Sequence, residues 1–457
     1  MGITYKTTEV FSPGKASSVT YVHRENRAAE SQLAKEVRRG GNIVSVVGPT
    51  KMGKTVLVGQ VVQDKLWLEG QWLGDIDAFW TKLAVQLNIP STKTSSKSKS
   101  DVAKWSIKAK IDVGAASLAS DIGGDHGKTL LDGWSVDIPQ DQAVVRALQD
   151  LKTAGRTHSI VIDDFHFVAP SVRTEIIRAL KPLVFAGIPA ILITLPHRKR
   201  DSFTGVEDIG GRTRTISVEA WSDQELKQIA HKGFEALNLK DAGDAIADRL
   251  SQESYGSPEL MQRFCLELCE EVNEVLETER WTVPLASPTG DWASFFTTIT
   301  DEQATAWLEK IARGPKSRGK ARNVLPLHDG RQLDGYQILL AAMKSLGPRL
   351  SMTVDDLKQE VVALLAPGTD IRKVQITTKL IHMSGIAATS LQDAPPEVDE
   401  DEEVIVAAEA EEDPSAGSVQ PVFEYAPNEV PETVNIVEPF LAFTLRWHGD
   451  KYLQTKA

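Results

Sequence analysis

The chain has 457 residues, 41% of them hydrophobic and 25% charged, with 51 Lys and Arg against 63 Asp and Glu. That composition excludes wholesale disorder, and the length allows about three domains, each with its own core. No apolar run reaches the eighteen or so residues of a membrane span, and Met1 to Ser18 lacks a charged-then-apolar signal pattern, so a cytoplasmic protein is expected. The two cysteines, Cys265 and Cys269, are four apart in a helix-like run and point to a buried helix face, not to a metal site or a disulfide. The net charge of -12 is concentrated: Ala394 to Asp413 holds ten carboxylates and no Lys or Arg, the signature of a solvated loop.

Residues 1–20 are polar and read as an arm. After Tyr21-Val-His-Arg-Glu25, a helix is predicted over Asn26 to Arg39, stopped by Gly40 and Gly41. The stretch Asn42 to Leu57 then spells GxxxxGK[ST] with Gly48, Gly53, Lys54 and Thr55. A β-rich run, Ile43 to Val47, leads in, and a helix-compatible run, Val56 to Leu68, leads out, which is the context a phosphate cradle requires. The glycines let successive N–H groups face phosphate, and the helix start adds its positive dipole end. Gly48, Pro49, Thr50, Lys51, Met52, Gly53, Lys54, Thr55 and Val56 are the candidate nucleotide contacts. Lys54 is expected to reach the β and γ phosphates, and the Thr55 hydroxyl to ligate Mg²⁺.

Asp75 to Leu87 reads as a further helix. Residues 91–135 break the pattern with Lys93, Lys97, Lys99 and Lys104 in a Ser-rich tract, followed by alternation from Trp105 to Val113. An inserted β-hairpin is expected there, serving either as a solvated decoration or as an assembly or ligand contact, with lysines that could meet nucleic-acid phosphate. Ser159-Ile-Val-Ile-Asp-Asp164 is an apolar run ending in two carboxylates, as for a central parallel strand whose C-terminal end faces a ligand. Asp163 is the candidate partner of Mg²⁺, and Asp164 the candidate base or orienter of the attacking water; the pair could instead cap the next helix. A third apolar run, Ala190 to Leu195, places Thr194 where it could sense the γ-phosphate. Of Arg198, Arg200, Arg212 and Arg214, the last two are the leading candidates for an arginine supplied across a subunit contact. From Trp221 the texture is helical, with a capping box at Ser222 and Glu225, helices over Asp241 to Glu253 and Glu259 to Val275, and a Gly256-Ser-Pro258 turn between them.

On Tyr21 to Glu25, Gly48 to Thr55, Ile160 to Asp164, the Thr194 strand, Trp221 to Leu226 and Gly256-Ser-Pro258, the chain resembles the AAA+/STAND group of P-loop ATPases, especially the branch similar to origin-recognition ATPases. The resemblance covers most of residues 15–275. It implies an α/β fold with a P-loop NTPase parallel sheet, a helical lid and a C-terminal winged-helix domain. It further implies ATP/ADP and Mg²⁺ as cofactors, Tyr21 and Val22 at the adenine, and Pro258 touching the nucleotide from the lid. Initiator ATPases carry a sensor arginine just after the lid glycine; here Gly256 is followed by Ser-Pro-Glu-Leu, and Arg263 is the nearest arginine. That departure favours the STAND side and slow turnover.

The domains expected are an arm (1–20), an ATPase core (21–218), a helical lid (219–290), a connector (291–324) and a winged-helix domain (325–457) with an acidic wing insertion at 393–417. Helices are predicted over Asp334 to Leu346, Val354 to Leu365 and Ile371 to Met383, with strands at Phe423 to Tyr425, Asn435 to Val437 and Phe440 to Leu445. The Ile371 to Met383 helix carries Arg372, Lys373, Gln375, Lys379 and His382, types that could read DNA, although ten nearby carboxylates oppose phosphate. Packing on the ATPase as an internal brake is the other use of such a domain. The implied function is a homo-oligomerising ATP switch that signals through a separately encoded effector, as in prokaryotic antiviral defence. The alternative is a DNA-binding ATPase similar to replication initiators or transposon target-selection ATPases.

Overall fold

Strands β1 (Ile43–Val47), β5 (Ser159–Asp163) and β6 (Ala190–Thr194) are buried at every position, as an apolar run must be when both faces of its sheet are covered. They are seen in a computed structural model that describes residues 3–15, 17–24, 27–89, 104–106, 137–195, 212–317, 322–347, 349–393, 397–398 and 421–454.

In chain order, helix α1 (Ala28–Arg39) precedes β1, and α2 (Lys54–Val61) follows the glycine-rich loop. Next come β2 (Lys65–Glu69), α3 (Ile76–Gln86), β3 (Lys104–Ser106), β4 (Asp137–Pro139) and α4 (Gln140–Thr153). After β5, helix α5 (Pro170–Phe185) leads to β6, and β7 (Thr213–Ser217) completes a five-stranded sheet of order β2-β5-β6-β1-β7. The sheet is parallel: Leu66 pairs with Ile160, Ile162 with Leu192, and Ile43 N donates to Arg212 O as Val218 N does to Val47 O. Because β5 and β6 lie between β1 and β2, the acidic end of β5 and the Thr194 end of β6 share the carboxyl edge of the sheet from which the glycine-rich loop leaves β1.

The helical region contains α6 (Asp223–Ala236), α7 (Ala245–Gln252) and α8 (Pro258–Glu267), the last continuing as a π-helical turn, Leu268–Val272. Then follow α9 (Trp292–Thr298), α10 (Glu302–Arg313), α11 (Gly335–Ser345), β8 (Ser351–Thr353), α12 (Val354–Leu364) and α13 (Lys373–Ala387). Strands β9 (Phe423–Ala426) and β10 (Thr433–Ile436) form an antiparallel sheet of order β8-β10-β9, and α14 (Pro439–His448) follows. Caps set the helix starts: Asp75, Ser222, Asp334 and Thr353 each accept a first-turn N–H through the side chain.

The chain divides into two compact units. One gathers Met1–Ser31, Val47–Leu57 and Ser217–Ala457; the other gathers Gln32–Val46 and Val58–Ile216. Each has its own hydrophobic core, the first running from Val10 and Phe11 through Phe264 and Phe296 to Phe443, the second built on Ile43, Ile160, Leu180 and Leu192. The N-terminal arm is part of the first core: Phe11 is fully buried against Gly233, where an added Cβ would meet its ring at 2.1 Å. Cys265 and Cys269 are buried and unbridged, as the helical spacing predicts, and burial pushes both thiols up. Among the described residues no helix is long and apolar enough to cross a membrane, and none of the His, Cys, Asp and Glu groupings could hold a metal with three ligands or more.

Four readings of the sequence are corrected. The run Val56 to Leu68 is not one helix: α2 ends at Val61 and its second half is strand β2, whose alternating burial suits a sheet edge. Phe440 to Leu445 is the body of helix α14, because Pro439 occupies the first helical turn and Glu438 caps it. Residues 291–324, read as a connector, hold α9 and α10, and α10 packs on α11, α13 and α14. The β9–β10 hairpin turns within residues 427–432, so the acidic tract precedes the hairpin and is not its tip. Most of that tract, and the 91–135 insertion apart from β3, which pairs antiparallel with β4, lie outside the described residues.

Candidate functional site

The glycine-rich loop is built by close backbone approach. A Cβ on Gly48 would lie 2.1 Å from Val218 O, and Gly53 takes φ +82°, so both positions demand glycine. Lys51 also adopts positive φ, 60°. Helix α2 begins at Lys54, whose buried Nζ donates to Gly48 O at 2.9 Å and Pro49 O at 2.6 Å, while Thr55 is exposed in the first turn. The strand, loop and helix that the motif needs are therefore all present.

The same unit braces the loop from two sides. From the lid, Trp221 Nε1 donates to Met52 O at 3.1 Å, Ser257 Oγ donates to Lys51 O at 3.2 Å, and Glu259 pairs with Lys51 at 2.9 Å. Pro258 Cγ lies 3.8 Å from where a Gly53 Cβ would stand. From the C-terminal part, Val437 O and Glu438 Oε2 accept from Thr50 Oγ1 at 3.2 and 3.1 Å, and Lys51 Nζ stands 5.6 Å from the Phe440 ring centre. Burial opposes the charge of Lys51, but the Glu259 carboxylate outweighs it and holds the ammonium above its ordinary value. Burial pushes the Glu438 carboxyl up, against the pull of Lys51 and the Thr50 hydrogen bond.

The lid turn is tied to α14 as well. Glu253, buried, pairs with Arg249 and Arg446 at 2.9 Å each and accepts from Trp447 Nε1 at 3.1 Å, while Tyr255 OH donates to Ala442 O at 3.3 Å. Residues 253–259 thus touch α14 at one end and the glycine-rich loop at the other.

In the second unit, Asp163 is buried at the end of β5 and its Oδ1 accepts from Asp164 N at 2.9 Å. Asp164 itself is left-handed, with φ 48° and ψ 44°, and Gly70 packs so closely that a Cβ there would lie 2.3 Å from Asp164 O. Such a conformation costs about 1–3 kcal/mol in a residue other than glycine and concentrates at functional positions. Thr194 is fully buried at the end of β6, and among the described residues its Oγ1 has no hydrogen-bond partner. Arg212 lies over the Phe185 ring at 3.9 Å, Arg214 Nη1 donates to Thr213 O at 3.2 Å, and both are exposed. Arg198 and Arg200 lie outside the described residues.

Tyr21 OH donates to Glu30 at 2.9 Å, and burial together with that carboxylate pushes the phenol up; Val22 is buried beside it. Arg24 forks onto Glu225 and onto the carbonyls of Glu219 and Ala220, fixing the start of α6. Arg263 is paired within its own helix to Glu267. On α13, Lys373 pairs with Glu432 and Asp355, Lys379 lies over the Tyr336 ring and His382 bonds Tyr336 OH, while Arg372 and Gln375 are exposed. Residues that sequence reasoning missed are Glu438, Val437 and Glu259, and the loop contact of Trp221. A Glu-Pro pair at 438–439 is a helix-start signal that could have flagged the first.

No protein-family model and no curated protein matches the chain. Solved structures similar to it include the Aeropyrum pernix ORC2 protein in ADPNP–ADP complexes, 11% identical over 99% of this chain and 98% of that one, with a TM-score of 0.46. Cdc6p from Pyrobaculum aerophilum is 12% identical over 99% and 100%, with a TM-score of 0.37. The Thermotoga maritima RuvB Holliday junction branch migration motor is 13% identical over 65% and 82%, with a TM-score of 0.38. These are likenesses of fold alone.

Proposed function

We propose that the chain is an ATP-binding, slowly hydrolysing switch whose C-terminal part reports on the phosphate loop. The observation that carries the reading is the bracing of Thr50 and Lys51 by Val437, Glu438 and Phe440 on one side and by Ser257 and Glu259 on the other. A loop held in this way cannot change its ligand without an effect on the lid turn or α14. In this reading Lys54 holds the β and γ phosphates, Tyr21, Val22 and Pro258 face the nucleoside, and Thr55 and Asp163 supply oxygen ligands to Mg²⁺. The glycine cradle and the buried ammonium suit a polyphosphate, and an exposed hydroxyl and a carboxylate suit a hard cation. Mg²⁺ supplies neutralisation of phosphate charge. Asp164 orients the attacking water, Thr194 senses the terminal phosphate, and Arg212 or Arg214 completes the site of a neighbouring copy. ATP then shifts the population toward an assembled form that acts on a separately encoded effector, the arrangement expected of an antiviral defence protein.

The test is the mass in solution with ADP and with a non-hydrolysable ATP analogue, with and without a short DNA duplex, alongside Lys54→Ala. Assembly on the analogue alone, absent in the variant, is the expected result. Assembly that needs DNA would replace this reading by a DNA-binding ATPase. No response to any nucleotide would overturn both.

A further inference from the structure

The carboxylate of Glu438 stands where a phosphate-binding loop would be expected to hold anions, not to face one. Its Oε2 lies 3.1 Å from Thr50 Oγ1, with Val437 O on the same hydroxyl at 3.2 Å, and Phe440, the second residue of α14, stands over Lys51. Thr50 follows Pro49, whose carbonyl, with that of Gly48, is where Lys54 Nζ is lodged. On the nucleotide-binding reading Lys54 serves the β and γ phosphates, and Glu438 holds the residue next to the two carbonyls on which that ammonium rests, at the same end of the loop. The other acidic group on the loop, Glu259, is matched by a full ion pair with Lys51. Glu438 accepts from the Thr50 hydroxyl, and burial disfavours its charge against the pull of Lys51.

We propose that Glu438 is a specificity-determining residue of the nucleotide site, a carboxylate that opposes the terminal phosphate of a nucleoside triphosphate and leaves a diphosphate unopposed. Two like charges brought together in a partly buried site repel more strongly than in water, and the diphosphate carries one phosphate fewer toward that end of the loop. For a triphosphate to seat, Glu438 must leave Thr50, and because its other oxygen caps α14 at Phe440 N, that movement also strips the helix of its cap. Discrimination between the two nucleotides and release of α14 are then one event. The inference rests on the nucleotide-binding reading above and adds to it the side chain that sets the preference.

The experiment compares dissociation constants for ADP and for a non-hydrolysable ATP analogue, by calorimetry, in the full-length protein, Glu438→Gln and Glu438→Ala, with thermal unfolding as a check that the variants fold. Glu438→Gln keeps the shape and the acceptor while removing the charge. The expected result is an ATP-analogue affinity at least tenfold tighter in both variants, with ADP affinity within about twofold of the parent. Equal shifts for both nucleotides, or no shift in either, would overturn the proposal while leaving nucleotide binding intact. Failure of every protein, the parent included, to bind either nucleotide would overturn the nucleotide-binding reading itself.

Discussion

Replacing Glu253 by Ala should loosen α14 more than any other part of the protein. Its carboxylate is 2% exposed and joins Arg249 and Arg446, themselves 28% and 29% exposed, to the indole N–H of Trp447. Partly solvated pairs are worth about 0.5 kcal/mol each, whereas an indole bond to a buried carboxylate is worth about 1.5–3 kcal/mol and leaves an unmatched donor behind when it is lost. The total is about 3 kcal/mol, or roughly a hundredfold in a local opening equilibrium. Amide hydrogen exchange resolves this, because a chain with two compact units need not unfold in a single transition. Peptides covering 439–448 should exchange roughly a hundredfold faster in Glu253→Ala and roughly tenfold faster in Glu253→Gln, which keeps an acceptor for the indole. Exchange at the parental rate over 439–448, in a variant that is otherwise folded, would refute the clamp.

Gly48→Ala places a Cβ 2.1 Å from Val218 O, a backbone atom that cannot swing aside, so a loss of about 3 kcal/mol and of nucleotide binding is expected. An alanine variant that melts with the parent would show that the approach is not rigid. Ser222→Ala removes both the acceptor for Glu225 N and a donor to Glu225, and should cost α6 about 1 kcal/mol, read as roughly fivefold faster exchange in its first turn. For Glu438 the folded protein binds a proton more readily than the unfolded chain, because burial raises the carboxyl above its ordinary 4.5 despite Lys51, Phe440 N, and Thr50, with Glu259 adding to the rise. The corresponding stability is complete below that ordinary value and is lost as pH climbs through the raised one. Thermal unfolding should therefore show the parent losing stability relative to Glu438→Gln as pH rises above 4.5, and parallel curves would contradict the assignment.

Local chemistry made much of this legible in advance. GxxxxGK[ST] between a strand and a helix, an apolar run ending in Asp163 and Asp164, and the Ser222–Glu225 box all carry their meaning in adjacent residues, and the structure forms each of them. The bracing of the loop was not legible, since Thr50 and Glu438 are 388 positions apart and no local period connects them. Phe440 to Leu445 misled for a different reason. Phe-Leu-Ala-Phe-Thr-Leu is buried almost throughout, and a helix lacking a polar stripe offers no 3.6-residue period to set against β propensity. The left-handed turn at Asp164 was likewise invisible, because nothing in an Asp-Asp pair distinguishes a strained residue from a helix cap.

The first compact unit is assembled from three stretches of chain, and this gives synthesis of the protein an order of events. The second unit ends at Ile216, so all its residues are synthesised before the lid and α14. At roughly 5–20 residues per second, the 388 positions from Thr50 to Glu438 take roughly 20–80 s to translate. For that interval a nascent chain carries the glycine-rich loop without the acid that will later sit on it. On the proposed nucleotide-binding reading, cellular nucleotide can reach the loop before Glu438 does, and that race sets the first ligand of a newborn molecule.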